Sequence, residues 1–170
     1  MAEEYKIHNN FSEIERKWLL KTIPSMVLEG IRSEVVTYYL SVDPEVRIRK
    51  RKLEGSNEYE YFLLDIKSDG TISRDEVTIK LNEAQFDQLA KMVGKDAIIK
   101  DYYLLDIQNG YKLELTVVDP GSDTEFIYCE VEFEEEEDAA RFLLPFEGEE
   151  VTSNSYWKMK NYWKRTRLDE

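Results

Sequence analysis

Charged residues recur at every second position along several stretches of this chain, and that spacing limits the folds open to it. Side chains of an extended strand alternate between two faces, so residues i and i+2 share one. Glu13, Glu15 and Lys17 share a face opposite Ile14. Arg47, Arg49 and Arg51 share another, and Glu130 and Glu132 a third, with Val131 and Phe133 opposite. Lys67 ends one strand-like run, and Arg74 and Glu76 pair on the next. Period-2 alternation predicts strands over about residues 11–19, 33–42, 45–53, 58–67, 73–81, 98–107, 111–118 and 125–134. Asn109-Gly110, between two alternating runs, is the strongest hairpin signal.

Helical periodicity is confined to three places. Asn82 to Gln85 reads as a capping box, opening a helix whose apolar face carries Phe86, Leu89, Ala90 and Val93. A second helix is predicted over 134–144, with acids in its first turn. A third starts near Ser153 and places Tyr156, Met159 and Trp163 on one side, a stripe that reads as core packing. A length of 170 residues without repeats or a Pro/Gly-rich hinge predicts one domain over 1–170. The fold class expected is α+β, mainly β: a closed eight-stranded antiparallel barrel with a few flanking helices, because closure removes sheet edges.

The charged faces can point two ways. As outer faces they would simply meet solvent. A small barrel normally fills its inside with apolar side chains. Yet dense acids on some strands and dense bases on others suit an interior better than a solvated surface, which intersperses signs. Inside, Glu13 and Glu15 would lie roughly 6–7 Å apart along their strand. At an effective dielectric of about 20 they would repel by roughly 2–3 kcal/mol. Such carboxylates recruit cations, and an all-oxygen set suits Mg²⁺ or Mn²⁺. The opposing arginines and lysines would then need an anion, and guanidinium forks match phosphate oxygens.

Other chemistries are excluded on composition. Cys129 is the single cysteine and His8 the single histidine, so neither a zinc cluster nor an intrachain disulfide is available. Cys129 reads as a buried or half-buried structural thiol. The start of the chain has no basic region leading into an apolar run, and no stretch approaches the length of a membrane span. A cytoplasmic location is expected. A net charge of -13 disfavours DNA and anionic membranes. It does not disfavour a small polyanion. Residues 47–52 hold five bases, while 134–138 are five consecutive acids in an expected exposed helix start.

Glu13-Ile14-Glu15-Arg16-Lys17 fits the E-x-E-x-K signature of the CYTH superfamily, the triphosphate tunnel metalloenzymes. Val46-Arg47-Ile48-Arg49 resembles that family's V-R-I-R strand. Phe62 to Lys67, followed by Gly70, Arg74 and Glu76, is similar to its L-T-I-K … G … R-x-E segment. Ile98-Ile99-Lys100 resembles the I-x-K strand, Cys129 to Phe133 the closing E-x-E strand, and Glu150-Val151-Thr152 before Tyr156 the C-terminal E-V-T … Y stretch.

The resemblance implies a tunnel that binds small-molecule triphosphates with Mg²⁺ or Mn²⁺, in a monomer or homodimer. It implies hydrolysis of inorganic, thiamine or nucleoside triphosphate. The alternatives are a class IV-type adenylyl cyclase and a non-catalytic triphosphate binder. Carried over, Glu13, Glu15, Glu130 and Glu132 would ligate metal, with Glu114 a further candidate. Lys17, Arg47, Arg49, Arg51, Lys67, Arg74 and Lys100 would grip phosphates. Glu13, Glu15 and Lys17 form the catalytic set. Three positions depart from the family pattern. Asp65 replaces a threonine and would add a negative charge to the lining, Tyr102 stands where a base is usual, and Thr116 falls where an aspartate is usual.

Overall fold

The computed structural model describes residues 9–168, with side chains from Ile14 onward. His8 and the side chain of Glu13 therefore lie outside the described residues. Eight strands carry the fold: β1 (Asn9–Leu20), β2 (Ile31–Val42), β3 (Glu45–Leu53), β4 (Tyr61–Lys67), β5 (Ser73–Lys80), β6 (Ile98–Asp106), β7 (Lys112–Val118) and β8 (Phe126–Phe133). They hydrogen-bond in the order β5-β4-β3-β2-β6-β7-β8-β1, and β1 pairs again with β5. That last pairing closes the barrel. A two-residue strand, β9 (Glu149–Glu150), adds to β1 opposite Trp18 and Leu19.

Each expected strand is present, with ends shifted by a few residues. The Asn109-Gly110 signal holds. Both residues adopt positive φ, 62° and 76°, as the tight connection between β6 and β7 requires.

The barrel is reversed in polarity. Its inside carries charge, so its apolar residues turn outward and need covers. Helix α1 (Glu83–Val93) opens on the predicted capping box and lays Phe86, fully buried, on β2–β4 against Tyr38 and Phe62. Helix α2 (Glu136–Arg141) lies on β1 and β8 and buries Ala139. It is shorter than the predicted 134–144. Phe142 leaves the helix to pack its ring on Trp18, Tyr111 and Phe133. Pro145 further disfavours helix at Leu144. Arg16, on the outer face of β1, donates to the carbonyls of Ala139 and Phe142 at 2.7 and 2.9 Å, satisfying that helix end.

Helix α3 (Met159–Arg167) follows a 3-10 turn at Ser155–Trp157 and buries Met159, Tyr162 and Trp163. These pack with Tyr39, Ile98, Val118 and Tyr128 over one end of the barrel. The predicted stripe is thus half right: Tyr156 is 55% exposed, with the Arg165 guanidinium 4.0 Å over its ring. Arg167 and Tyr162 both reach Asp119, and Lys160 bridges Asp43 and Asp69. These contacts fasten α3 to three barrel loops.

Candidate active site

Strand parity builds the site. On β3, Ile48 turns outward and is fully buried, which points Glu45, Arg47, Arg49 and Arg51 into the tunnel. On β8, Val131 and Phe133 join the outer core, so Glu130 and Glu132 face in. On β1, Trp18 and Leu20 do the same for Glu15 and Lys17. The result is a cavity of about 340 Å³. Glu15, Glu114, Glu130 and Glu132 line it together with Lys17, Arg47, Arg49, Arg51, Lys67, Arg74 and Lys100. The reading of these faces as a solvated exterior is therefore overturned.

Acids gather on β1, β7 and β8 and bases on β3 and β4, although Lys17 stands on β1 in register with Glu130 and Glu45 lines the cavity from β3. Glu15 of β1 stands in register with Glu132 of β8, and Glu130 with Glu114 of β7. Across the tunnel, Arg47, Arg49 and Arg51 run along β3, with Lys67 on β4. Glu13 pairs through its backbone with Arg74 of β5.

Several side chains are fixed by neighbours. Arg74 reaches Glu45 at 3.2 Å and Glu15 at 3.5 Å, and Lys67 lies 3.8 Å from Glu76. Lys17 Nζ donates to the Trp157 carbonyl at 2.7 Å and sits 4.0 Å over the Tyr128 ring. Burial lowers the pKa of Lys17 against the pull of Glu130 and Glu15. Burial, with Arg47 next, brings Lys100 down to about 7. Cys129 is buried as expected, its thiol pushed up to about 12 by burial and by Glu130.

The three departures now have places. Asp65 does not line the cavity; it is fully buried behind the arginines, accepting from Arg47 Nε at 3.0 Å and Arg49 Nε at 2.6 Å. The expected negative charge on the lining is corrected accordingly, because both guanidiniums cover it. Tyr102 donates to Glu114 at 2.7 Å, filling the place of a base with a group that fixes an acid. Thr116 lines the tunnel, one step along β7 from Glu114.

Sequence reasoning passed over some lining residues. Glu45 and Tyr39 share the parity of Arg47 and of Thr37, a signal that was available. Tyr39 Oη and Thr37 Oγ1 are buried without a hydrogen bond of good geometry. Trp157 and Lys158 enter from the C-terminal segment, and no strand parity could point to them.

The lining also sets what could be held here. Carboxylates on adjacent strands make an all-oxygen donor set of the kind Mg²⁺ takes, one or two carboxylates completed by phosphate oxygens and water. Among the described residues no three of His, Cys, Asp or Glu form a ready-made cluster. Like charges keep apart, and Glu15 leans to Arg74. No helix of the described chain is long and apolar enough to cross a membrane.

No family model matches the chain. It is 32% identical over 150 residues to the inorganic triphosphatase of Nitrosomonas europaea, covering 88% of this chain and 95% of that protein. Two solved structures, one of the hypothetical protein NE1496 and one of the inorganic triphosphatase NE1496, superpose with a TM-score of 0.59. Their identities are 28% and 26%, over 88% of this chain and 96% and 93% of theirs. Identity at this level, sustained over nearly the full length of a relative, is a mark of common descent, and the chain belongs to the triphosphate tunnel metalloenzymes, the CYTH superfamily.

Proposed function

We propose that this chain hydrolyses triphosphate compounds within its tunnel, with Mg²⁺ or Mn²⁺, and that inorganic triphosphate is its first substrate. The observation that carries the reading is the meeting, in one cavity of a closed barrel, of carboxylates from β1, β7 and β8 with the arginines of β3. The named activity of the Nitrosomonas relative supports it. Trp157, Lys158 and Met159 from the C-terminal segment also line the cavity and add the Lys158 charge to it.

Phosphoryl transfer asks a protein mainly for positioning and charge neutralisation. Arg47, Arg49, Arg51, Lys67, Arg74 and Lys100 supply the neutralising charge along the chain of phosphates. Lys17, held by the Trp157 carbonyl, lines the cavity among the carboxylates, in register with Glu130. Glu15, Glu130 and Glu132 would hold the cation, with Glu13 beside them in β1 and Glu114 adjoining in β7. A bound divalent cation supplies Lewis-acid polarisation of phosphate oxygens. Burial of Lys67 and Lys100 lowers the dielectric around them, which strengthens their charge contacts.

The test is phosphate release from inorganic triphosphate, thiamine triphosphate and ATP, each with Mg²⁺ or Mn²⁺ and with a chelator. Release that stops on chelation is expected. If none of the three is hydrolysed, the hydrolase reading fails; hydrolysis indifferent to chelation removes the cation from it. Cyclic AMP with pyrophosphate as the products from ATP would reassign the chain as a cyclase.

A further inference from the structure

Asp65 departs from what the family pattern implies by placing an acid among the bases, and it is the most enclosed acid beside the site. Its side chain is 0% exposed. Oδ2 accepts Nε–H from both Arg47 (3.0 Å) and Arg49 (2.6 Å), while Oδ1 accepts the Thr78 hydroxyl at 2.8 Å and lies 3.5 Å from Arg49 Nη2. Register explains the geometry. Arg47, Asp65 and Thr78 stand directly opposite one another across β3, β4 and β5, and Arg49 reaches Asp65 along the diagonal. Burial pushes the Asp65 pKa up, but Arg49, Arg47, Lys67 and the Thr78 bond outweigh it and hold the group ionised, well below the ordinary carboxylate range.

We propose that Asp65 is a positioning residue that presets Arg47 and Arg49 as a fixed pair for the triphosphate. Both arginines are anchored through Nε on the shared carboxylate, and both line the cavity. Two guanidiniums on one strand face repel, and a shared carboxylate offsets that repulsion. It also keeps them from turning to the carboxylates of the opposite wall, where acids and bases would neutralise one another and close the space. The order of two long side chains is thus established on folding and is not lost from the binding free energy.

The inference rests on the hydrolase reading, and its test separates the two. Inorganic triphosphate with Mg²⁺ is titrated first into the unaltered protein; absence of binding there removes the proposed function. Given binding, Asp65→Asn and Asp65→Thr are compared with it. KM for inorganic triphosphate should rise about tenfold, the effect of leaving two rotamer-rich side chains to be ordered by the ligand, with kcat within about threefold. Asp65→Asn, isosteric and still able to accept one Nε–H, should fall between the unaltered protein and Asp65→Thr. The side-chain Nε–H resonances of Arg47 and Arg49 give a second readout. They should be sharp in the free unaltered protein, lost in the free variants, and restored when inorganic triphosphate is added. A residue that only stabilises the barrel would lower Tm and leave KM unchanged, and that result overturns the proposal. So does a variant that binds inorganic triphosphate as tightly as, or more tightly than, the unaltered protein.

Discussion

The two walls of the tunnel are built from the same device, a strand with charges at alternate positions, and end in different states. On the basic wall, Arg47 and Arg49 share a carboxylate that no solvent reaches. On the acidic wall, Glu132 is exposed, and Glu15, its side chain 16% exposed, makes a 3.5 Å contact with Arg74. A fixed wall suits the part of a ligand that is always the same, a row of phosphate oxygens. Were the acidic wall to hold a divalent cation, phosphate oxygens and water would complete the ion's shell, whereas the basic wall has its shared carboxylate in place beforehand.

That contrast can be broken from either wall. The largest effect is expected from the acidic one. Glu15→Gln or Glu132→Gln should lower kcat on the order of a hundredfold, the scale of losing one charge-stabilising group. Activity should return in part as Mg²⁺ or Mn²⁺ is raised, because the ion has lost a ligand. A variant with unchanged metal dependence would remove that glutamate from the set. On the basic wall, Arg49→Ala should act through KM, on the order of tenfold, with the metal optimum unmoved. A matching shift in metal dependence would show that the walls do not divide the work as described.

The smallest effect concerns protons. Free Lys100 has a pKa near 7, so above that pH it is largely neutral. A bound polyanion favours the charged form, which raises the pKa on binding. Inorganic triphosphate should therefore take up a proton, up to about one, when it binds near pH 8. Calorimetry in two buffers of different ionisation heat reads this directly. Affinity should weaken as pH rises through 7, and Lys100→Met should abolish the uptake. Uptake that persists in that variant would assign it elsewhere.

Much of this was legible in the order of residues. Alternation located all eight barrel strands, and the lining residues expected from the charged faces or from the family pattern, Asp65 apart, line the cavity wherever their side chains are described. The capping box at Asn82 and the Asn109-Gly110 turn are local events, decided by backbone chemistry within a few residues. What failed depended on distant partners. The length of α2 is set by Phe142 finding Trp18, Tyr111 and Phe133. Tyr156 lies outside the core because the chain around it forms a 3-10 turn before α3 begins. Trp157 and Lys158 meet the cavity only because α3 is fastened over the end of the barrel by Lys160 and Arg167.

Asp65 shows where the division falls. The sequence by itself determined that this residue shares a face of β4 with Lys67, because side chains alternate strictly along a strand. It likewise set charged faces against apolar ones on several strands, while the closed barrel decided which of them lines the interior. Only the tertiary structure decided whether Asp65 would oppose the ligand or serve the arginines. That depends on cross-strand register, which sets Arg47 beside it and Arg49 on the diagonal, and register is a property of the closed barrel rather than of any one strand.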